Sequence, residues 1–511
     1  MVFDRDRLLS KVMQPRAWRF LPPLFLTFLV LALTILVLNR AATKPFWFDE
    51  IFTLNLAQYP AGAGLWRALT RGFDFNPPAI YVATHASEQL FGRGPIASRL
   101  PSILSGIVAL LCLIRVSSRA GGKSAGFWAL LLFSASGMVG FLYEARPYAL
   151  MLAGAMMAWV CWQSRIESER FAALKLSGLA AGLSLALASH IWAVVIPGCF
   201  LVSAVYRWRR TGQPDLPALA AMLVPYTIAL SYVPLWLASR RIHFGGKHSM
   251  STSFTGAYGG VLNLMPLVWI GCAGALLTAR ILLPRAERPD PASPAPREDL
   301  ILAACLCLSP LVVFAVTRLP NTPFVSRHIL PSALGFTFLF AQSLAVLGRR
   351  AKWTAYILIL ALGTAVSAHT LRVTARGWSM PDPADPDLAM VSAQDSSDEP
   401  VVYANGLRFL AADFYASPAQ AKRLIYVADP AFAHHYTGAD SVDAALLAGR
   451  SYLNLRGRVL SYDDLRRAYP HFWLIDDHGE WNWLGRKLRA GGASILPAGS
   501  AQPHIFRVLV R

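Results

Sequence analysis

The amino-acid sequence predicts an α-helical membrane protein with several membrane-spanning helices and a small C-terminal α/β domain. Apolar residues make up 55% of the 511-residue chain and charged residues only 15%, whereas an ordinary soluble domain has about 25% charged residues. The apolar residues form repeated runs of about 20, the length that crosses a hydrocarbon core of about 30 Å. After about residue 370 the composition becomes that of a soluble domain.

About eleven apolar runs are long enough to be spans. The first, 18–38, is too long for the core of a signal peptide and lacks a small-residue cleavage site, so we interpret it as an uncleaved span. The other ten predicted spans are 96–116, 124–142, 148–163, 172–189, 191–206, 217–238, 261–283, 300–316, 329–347 and 353–369.

Basic residues indicate how these spans are oriented. The chain has 48 Lys and Arg against 29 Asp and Glu, a net charge of +19. A nucleic-acid partner would explain such an excess. However, the basic clusters precede the first span or fall in five successive alternate connections between spans, as the positive-inside rule requires. We therefore predict a multi-pass plasma-membrane protein with a cytoplasmic N-terminus, and no nucleic-acid partner.

This topology predicts two domains. Residues 1–370 form a transmembrane domain whose first outer loop spans 40–95. Residues 371–511 form a soluble periplasmic α/β domain in which β-rich and helix-like stretches alternate. This domain has no glycine-rich phosphate loop, and we interpret it as a lid or as a platform for an acceptor. All six cysteines lie in apolar runs, which argues against disulfides and a zinc site.

Asp49 and Glu50 lie at the start of a predicted amphipathic helix in the first outer loop, beside aromatic residues. Adjacent helix positions point about 100° apart, so only one of the two acids can face a cleft. Burial beside aromatic rings raises the pKa of a carboxylate towards that of a useful general base. A solvated face at the membrane surface is the alternative.

A second helix is predicted after the paired prolines of the segment FDFNPPAIY at 73–81. Tyr81, His85 and Glu88 share one polar face of this helix. A His and a Glu on one face could contact a metal, but a solvated face is the simpler interpretation. A divalent metal is therefore conceivable as a cofactor, although no ligand cluster is specific enough to place one.

Further charged residues lie in outer turns, where the positive-inside rule does not call for them. Glu144 and Arg146 are between two spans, where charges need partners or a wet cavity; they form either a functional site or a mutual pair that caps the helix ends. His190 is either a satisfied polar helix end or a ligand. Cations suited to a phosphate group are Arg240, Arg241, Lys247 and Arg327.

Five motifs, in order along the chain, resemble the GT-C superfamily of integral-membrane glycosyltransferases. The resemblance covers about 18–369 and is to the bacterial branch that includes lipid A aminoarabinose transferase, Rgt-type enzymes and relatives of protein O-mannosyltransferase. It implies a GT-C fold. The motifs are WFDE at 47–50, FNPPAIY at 75–81, SRLPS at 98–102, YEARPYAL at 143–150 and SRHILPS at 326–332.

The resemblance also implies roles for individual residues. Asp49 would be the general base that deprotonates an acceptor hydroxyl, with Glu50 as its neighbour, and Glu144 is a third candidate catalytic acid. Arg146 and Arg327 would bind the donor phosphate. For the other cations, Arg240, Arg241 and Lys247, this role rests on charge alone. Candidate substrate-binding residues are Asn76, Tyr81, His85, Tyr148, His190 and His328.

Two positions depart from the family pattern. Asn76 stands where aminoarabinose-type enzymes tend to have a lysine, which argues against an aminoarabinose donor. His328 stands where many relatives have a tyrosine.

The sequence thus predicts a monomeric hexosyl- or pentosyltransferase that moves a sugar, with inversion, from a polyprenyl-phosphate donor to a lipid, glycan or protein acceptor at the outer face of the membrane. A transporter or flippase for lipid-linked sugars is one alternative, but it would need ionisable residues deep within spans. A glycan polymerase with polyprenyl-pyrophosphate donors is another, but it does not account for the WFDE motif.

Overall fold

The fold is seen in a computed structural model. It describes residues 21–72, 74–239, 242–243, 253–282, 295–318, 324–349, 351–377, 384–395, 398–479, 482–499 and 503–510.

The N-terminal three quarters of the chain form a helical bundle with a loop of short helices after its first member. The helices of this part are α1 (Leu21–Thr43), α2 (Phe48–Ala57), α3 (Ala63–Thr70), α4 (Ala79–Phe91), α5 (Pro95–Gly121), α6 (Lys123–Ser134), α7 (Tyr148–Glu167), α8 (Ala172–Ser189), α9 (Val195–Thr211), α10 (Leu216–Ser231), α11 (Val233–Ser239), α12 (Phe254–Leu262), α13 (Met265–Leu282), α14 (Arg297–Arg318), α15 (Pro331–Gly348) and α16 (Lys352–Gly377). Short 3₁₀ helices span Gly137–Tyr143, Ile191–Val194 and Ser326–Ile329.

Within the described residues, seven helices are long and apolar enough to cross a membrane, or up to ten when each sharply bent pair counts as one span. The bent pairs are α1 with α2, α6 with the 3₁₀ helix that follows, and α10 with α11. Helix α7 coincides with the remaining predicted span; it is not among these helices and has most of its residues buried in the bundle. The helical membrane fold is confirmed, and the number of eleven spans stays a prediction.

Helices α7 and α8 approach each other closely through two glycines. A Cβ on Gly154 would lie 2.5 Å from the backbone oxygen of Gly182, and one on Gly182 would lie 2.7 Å from that of Gly154. Small residues let helix backbones pack this tightly in a membrane bundle. This packing holds the second turn of α7, which follows the motif around Arg146, against α8.

The first loop lies across the end of the bundle, which we call the loop end. Helix α2 is bent by 79° from α1 and buries most of its residues. A helix is present where the sequence predicted one, but eight of its ten residues are buried, so it does not present the solvated polar face expected of an amphipathic helix at the membrane surface. Helix α4 begins directly after Pro78, whose fixed φ suits the start of a helix.

The C-terminal domain is a six-stranded sheet covered by short helices. Its elements are α17 (Pro386–Gln394), β1 (Val401–Tyr403), α18 (Gly406–Tyr415), α19 (Pro418–Arg423), β2 (Leu424–Val427), α20 (Pro430–Thr437), α21 (Ser441–Gly449), β3 (Arg458–Leu460), α22 (Tyr462–Ala468), β4 (His471–Ile475), α23 (Leu484–Ala490), β5 (Ser494–Pro497) and β6 (Ile505–Leu509).

The strand order is β3-β2-β1-β4-β6-β5. The first four strands are parallel, whereas β6 pairs antiparallel with both β4 and β5. Strands β1 and β2 are buried along their whole length, as expected of parallel strands with both faces covered. The predicted α/β character of this domain is confirmed.

The C-terminal domain packs on the first loop rather than standing apart from it. The backbone N–H of Phe46 donates to the hydroxyl of Tyr415 at 2.5 Å, and the hydroxyl of Tyr59 donates to the carbonyl of Tyr452 at 2.8 Å. Apolar residues of α2, α3 and α4 share one buried cluster with residues of the sheet. The domain therefore covers one side of the helix that carries Asp49.

Candidate active site

Three charged side chains from distant parts of the chain meet at the loop end of the bundle. Asp49 lies in the first turn of α2, Arg146 just before α7, and Arg327 in the 3₁₀ helix before α15. The Oδ2 atom of Asp49 is 3.8 Å from Nη2 of Arg146 and 3.8 Å from Nη1 of Arg327. Both separations exceed a direct hydrogen bond, so the carboxylate faces two guanidinium groups without being locked to either.

Arg146 is buried, and its direction is fixed by several acceptors. Its Nη1 donates to Oδ2 of Asp74 at 2.6 Å, to the backbone carbonyl of Asp49 at 2.9 Å and to Oγ1 of Thr53 at 3.1 Å. Asp74 in turn accepts a hydrogen bond from Nδ2 of Asn76 at 2.8 Å. Since Nη1 is saturated, Nη2 is the nitrogen that faces Asp49 and is available to an anionic ligand.

The two aspartates beside Arg146 differ in proton affinity. Burial raises the pKa of Asp49 above its usual value, against the opposing charges of Arg146 and Arg327. Burial acts on Asp74 in the same direction, but there the charge and hydrogen bond of Arg146, helped by Tyr81, hold the pKa below its usual value. Asp74 is therefore the stronger acid of the two and Asp49 the stronger base, a separation of pKa values that allows neighbouring carboxylates to take different roles.

Aromatic and histidine side chains lie beside this cluster. The ring of His190 is 5.6 Å from that of Tyr148 and 6.1 Å from that of His328, measured between centroids. Burial, together with the charges of Arg146 and Arg327, lowers the pKa of His190 to about 3. Burial and neighbouring positive charge also lower the pKa of His328 well below its usual value. Both rings are neutral at pH 7 and can exchange hydrogen bonds with hydroxyl groups.

Glu50 points away from Asp49 and forms a fully buried ion pair with Arg99. Its two oxygens accept from Nε and Nη2 of Arg99, each at 2.8 Å, and Oε1 also accepts from the backbone N–H of Ala145 at 2.8 Å. Arg99 also donates to the carbonyls of Ala41 and Lys44. This pair joins the end of α1, the start of α2, helix α5 and the turn that carries Arg146, which favours a positioning role for Glu50.

Glu144 is paired with Lys44 at 2.6 Å, and burial raises its pKa. Its Oε2 is buried without a partner in the described part of the chain. The sequence left open whether Glu144 and Arg146 form an ion pair with each other. Among the described residues they do not, because the side chain of Arg146 points to Asp74 instead. Only the backbone N–H of Arg146 bonds Glu144, at its carbonyl.

The polar face of α4 is used for packing. Nδ1 of His85 lies 2.7 Å from the carbonyl of Ala57, and Glu88 accepts a hydrogen bond from Ser98 at 2.6 Å. Both side chains therefore have partners within the fold, which favours the structural interpretation of this face over a metal site.

One group in the described residues has the composition of a metal site. The side chains of His243, His434 and Asp440 place one potential ligand atom each within 4.8 Å of one another. Asp440 already accepts hydrogen bonds from both the backbone and the ring of His243, so the group is also complete without an ion. The predicted cations Arg240, Arg241 and Lys247 lie outside the described residues.

Sequence reasoning brought Asp49, Arg146 and Arg327 together but missed two partners. Asp74 lies in the FDFNPPAIY segment. A carboxylate in an outer loop, just before paired prolines, was the feature of the sequence that could have indicated it. Arg99 lies in the SRLPS motif, and a lone arginine at the start of an apolar span was the signal there.

Comparison with protein families matches residues 76–235 to "Dolichyl-phosphate-mannose-protein mannosyltransferase", less than half of the chain. No curated protein matches the chain. Among solved structures, the crystal structure of ArnT from Cupriavidus metallidurans in the apo state is similar, with a TM-score of 0.57 and 15% identity over 94% of this chain and 97% of that one.

Two further structures show likeness of different strength. The same ArnT bound to undecaprenyl phosphate gives a TM-score of 0.56 and 14% identity over 97% of this chain and 98% of that one. The oligosaccharyltransferase of Archaeoglobus fulgidus, tethered with an acceptor peptide, has 11% identity over 88% of this chain and 69% of that one. Its TM-score of 0.40 is too low to support an argument.

The chain therefore has the GT-C membrane fold, and residues 76–235 match the mannosyltransferase family model. Its fold resembles that of ArnT along nearly the whole length of both chains. The resemblance predicted from the five motifs is confirmed.

Proposed function

We propose that the protein is a glycosyltransferase that moves a sugar from a polyprenyl-phosphate donor to a hydroxyl group of a lipid, glycan or protein acceptor. The observation that carries the proposal is the Asp49 carboxylate, whose pKa is raised and which faces Arg146 and Arg327 at 3.8 Å each. Such a site combines a base for a neutral hydroxyl with cations for a departing phosphate.

The proposed reaction is a single displacement. The acceptor oxygen attacks C1 of the sugar as Asp49 takes its proton, and the bond between C1 and the phosphate oxygen breaks on the opposite side, which inverts the anomeric configuration. The bonding electrons leave with the polyprenyl phosphate. Arg146 and Arg327 stabilise its growing negative charge, which is the main electrostatic contribution in such sites.

The family match and the fold support this proposal. The matched family is described as acting with dolichyl-phosphate-mannose, and ArnT binds undecaprenyl phosphate in its crystal structure; both are polyprenyl-phosphate lipids. We further propose that the loop end and the C-terminal domain lie outside the plasma membrane, because the basic connections fall at the other end, and that the protein acts as a monomer.

Replacing Asp49 by Asn tests the proposal. We expect transfer from a polyprenyl-phosphate sugar to fall by about 10²–10⁴-fold, since the base is lost, while the donor lipid remains bound. Mass spectrometry of envelope glycans and lipids, with and without the gene, identifies the product to assay. Asp463→Asn, an exposed acid on α22, is the matched control. Full transfer by Asp49→Asn, or movement of lipid-linked sugar across vesicles without transfer, would refute the proposal.

A further inference from the structure

A cavity of about 690 Å³ lies on the far side of α2 from the Asp49 cluster. Its walls come from the end of α1, from α2, from the turn between α4 and α5, and from the C-terminal domain at α18 and 454–456. The lining residues Ile51, Leu54 and Asn55 of α2 and Gln58 directly after it follow helical spacing. Because nine residues turn a helix through about 900°, Gln58 points roughly opposite to Asp49. The cavity is therefore separate from the proposed catalytic site.

Three cations, Lys44, Arg93 and Arg456, line the cavity together with two acids, Glu88 and Asp413, so its lining has a net positive charge. Arg93 lines it, is exposed and makes no hydrogen bond or ion pair in the described part of the chain. In the described residues, the guanidinium group of Arg456 donates to the backbone carbonyls of Asp413 and Phe414, and its charge opposes the rise that burial causes in the pKa of Asp413. Of the two lining acids, Asp413 is occupied by the backbone N–H groups of residues 456 and 457, and Glu88 accepts from Ser98.

The cavity lies where helices leave the bundle, and exposed apolar side chains follow each other in the chain just before its lining residue Arg93. Thr43 at the end of α1 and Pro95 at the start of α5 both line it. Next to Arg93, Leu90 is 76% and Phe91 67% exposed. Large apolar side chains beside a cation are typical of a corner that enters the interfacial region of a bilayer, where lipid phosphates lie.

We propose that this cavity binds the phosphate-bearing headgroup of an anionic bilayer lipid, with Arg93 and Arg456 holding the phosphate. The guanidinium group suits a phosphate because it offers two parallel N–H donors. The apolar corner at Leu90 and Phe91 places Arg93 at headgroup depth. A lipid bound there touches α1, α5 and the C-terminal domain together and stabilises the seam between them. This second lipid is neither donor nor acceptor, since α2 separates it from Asp49.

The test uses the full-length protein in nanodiscs of phosphatidylcholine alone or mixed with phosphatidylglycerol. Native mass spectrometry measures the ratio of the two retained lipids, and thermal unfolding measures their effect. We expect phosphatidylglycerol to be retained and to raise the melting temperature. Arg93→Gln should weaken its retention about tenfold, as expected for a lost charge-assisted contact. It should not change the melting temperature in phosphatidylcholine, because Arg93 makes no hydrogen bond or ion pair with the residues that the structure describes.

Arg489→Gln is the matched control, an exposed arginine on α23 away from the cavity, and it should retain phosphatidylglycerol like the unchanged protein. Equal retention by the Arg93 and Arg489 variants would overturn the proposal, because binding would then reflect only the net positive charge. A third arm adds inorganic phosphate to phosphatidylcholine nanodiscs. Stabilisation of the same size, lost in Arg93→Gln, would show a site for a free anion and would refute the lipid. None of these readouts depends on sugar transfer.

Discussion

Asp49 and Asp74 show how one arginine can give two carboxylates different chemistry. Asp74 meets Arg146 at 2.6 Å, whereas Asp49 stays 3.8 Å from it. The close contact lowers the pKa of Asp74, and Arg146 stabilises the Asp74 carboxylate more than that of Asp49. Asp49 therefore receives less stabilisation as an anion, and its pKa remains raised by burial.

Asp74→Asn should move the acid limb of the pH–rate profile to lower pH. The charge of Asp74 raises the pKa of Asp49, so its removal lowers that pKa, and it also frees Arg146 to pair with Asp49. Since transfer requires the deprotonated base, activity would persist to lower pH. The rate at neutral pH should fall roughly tenfold or more, because the base is weaker. The measurement is transfer rate against pH in detergent.

Arg327→Gln should shift the pH–rate profile in the opposite direction to Asp74→Asn. Arg327 lowers the pKa of Asp49, so its loss should move the same limb to higher pH. If both variants shifted the limb in one direction, Asp49 would not be the titrating group.

At the residue scale the sequence predicted the members of the site better than their pairing. Motif order placed Asp49, Arg146 and Arg327 at one end of the bundle. It could not tell that Arg146 turns to Asp74 rather than Glu144, because the choice depends on side-chain directions set by the 144–147 turn and the loop before Pro77.

At the scale of secondary-structure elements, the Glu50–Arg99 pair fixes how α1, α2 and α5 meet. Arg99→Ala should lower the free energy of unfolding by about 3–5 kcal/mol, since it leaves the buried Glu50 carboxylate without its counter-charge. Thermal unfolding in detergent measures this loss. Transfer should fall too, because both Asp49 and the turn with Arg146 depend on this pair.

Arg119→Ala, on the same helix, is the control. Arg119 pairs with Glu167 at the exposed end of α5, and exposed pairs contribute less than about 1 kcal/mol. Similar losses for the two variants would contradict the positioning role of Arg99.

The sequence predicted the positions of the helices well, but not their breaks. The predicted span 124–142 is α6 followed by a 3₁₀ helix at 74°, and 217–238 is α10 followed by α11 at 50°. Hydropathy reports how long an apolar run is and not its direction. Pro234, just after the second break, was the signal available in the sequence.

At the scale of the whole molecule, the C-terminal domain and the first loop form one packed unit. A chain that ends at residue 377 would expose apolar side chains such as Ile51, Leu69 and Ile80, which share a cluster with the sheet. We expect it to melt at a lower temperature and to lose transfer, because the loop that carries Asp49 is no longer supported. Thermal unfolding and the transfer assay check this. An unchanged melting temperature with full transfer would show that the domain is an independent appendage.

Composition predicted that 371–511 is a soluble domain, and the division between the two domains stays a prediction. Composition could not show which face of that domain is covered, because residues such as Tyr415 and Tyr452 have the same character whether they meet water or another segment.

The 79° bend between α1 and α2 has a consequence for substrate selection. Under the proposed function, a first helix that crosses the bilayer would leave α2 close to the plane of the membrane surface, so the covalent chain would set the height of the Asp49 carboxylate along the membrane normal. Substrates would then be selected by the depth at which their reacting atoms lie. The isoprenoid or acyl chains below that plane can differ in length, since they extend into fluid lipid and need not fit a closed channel.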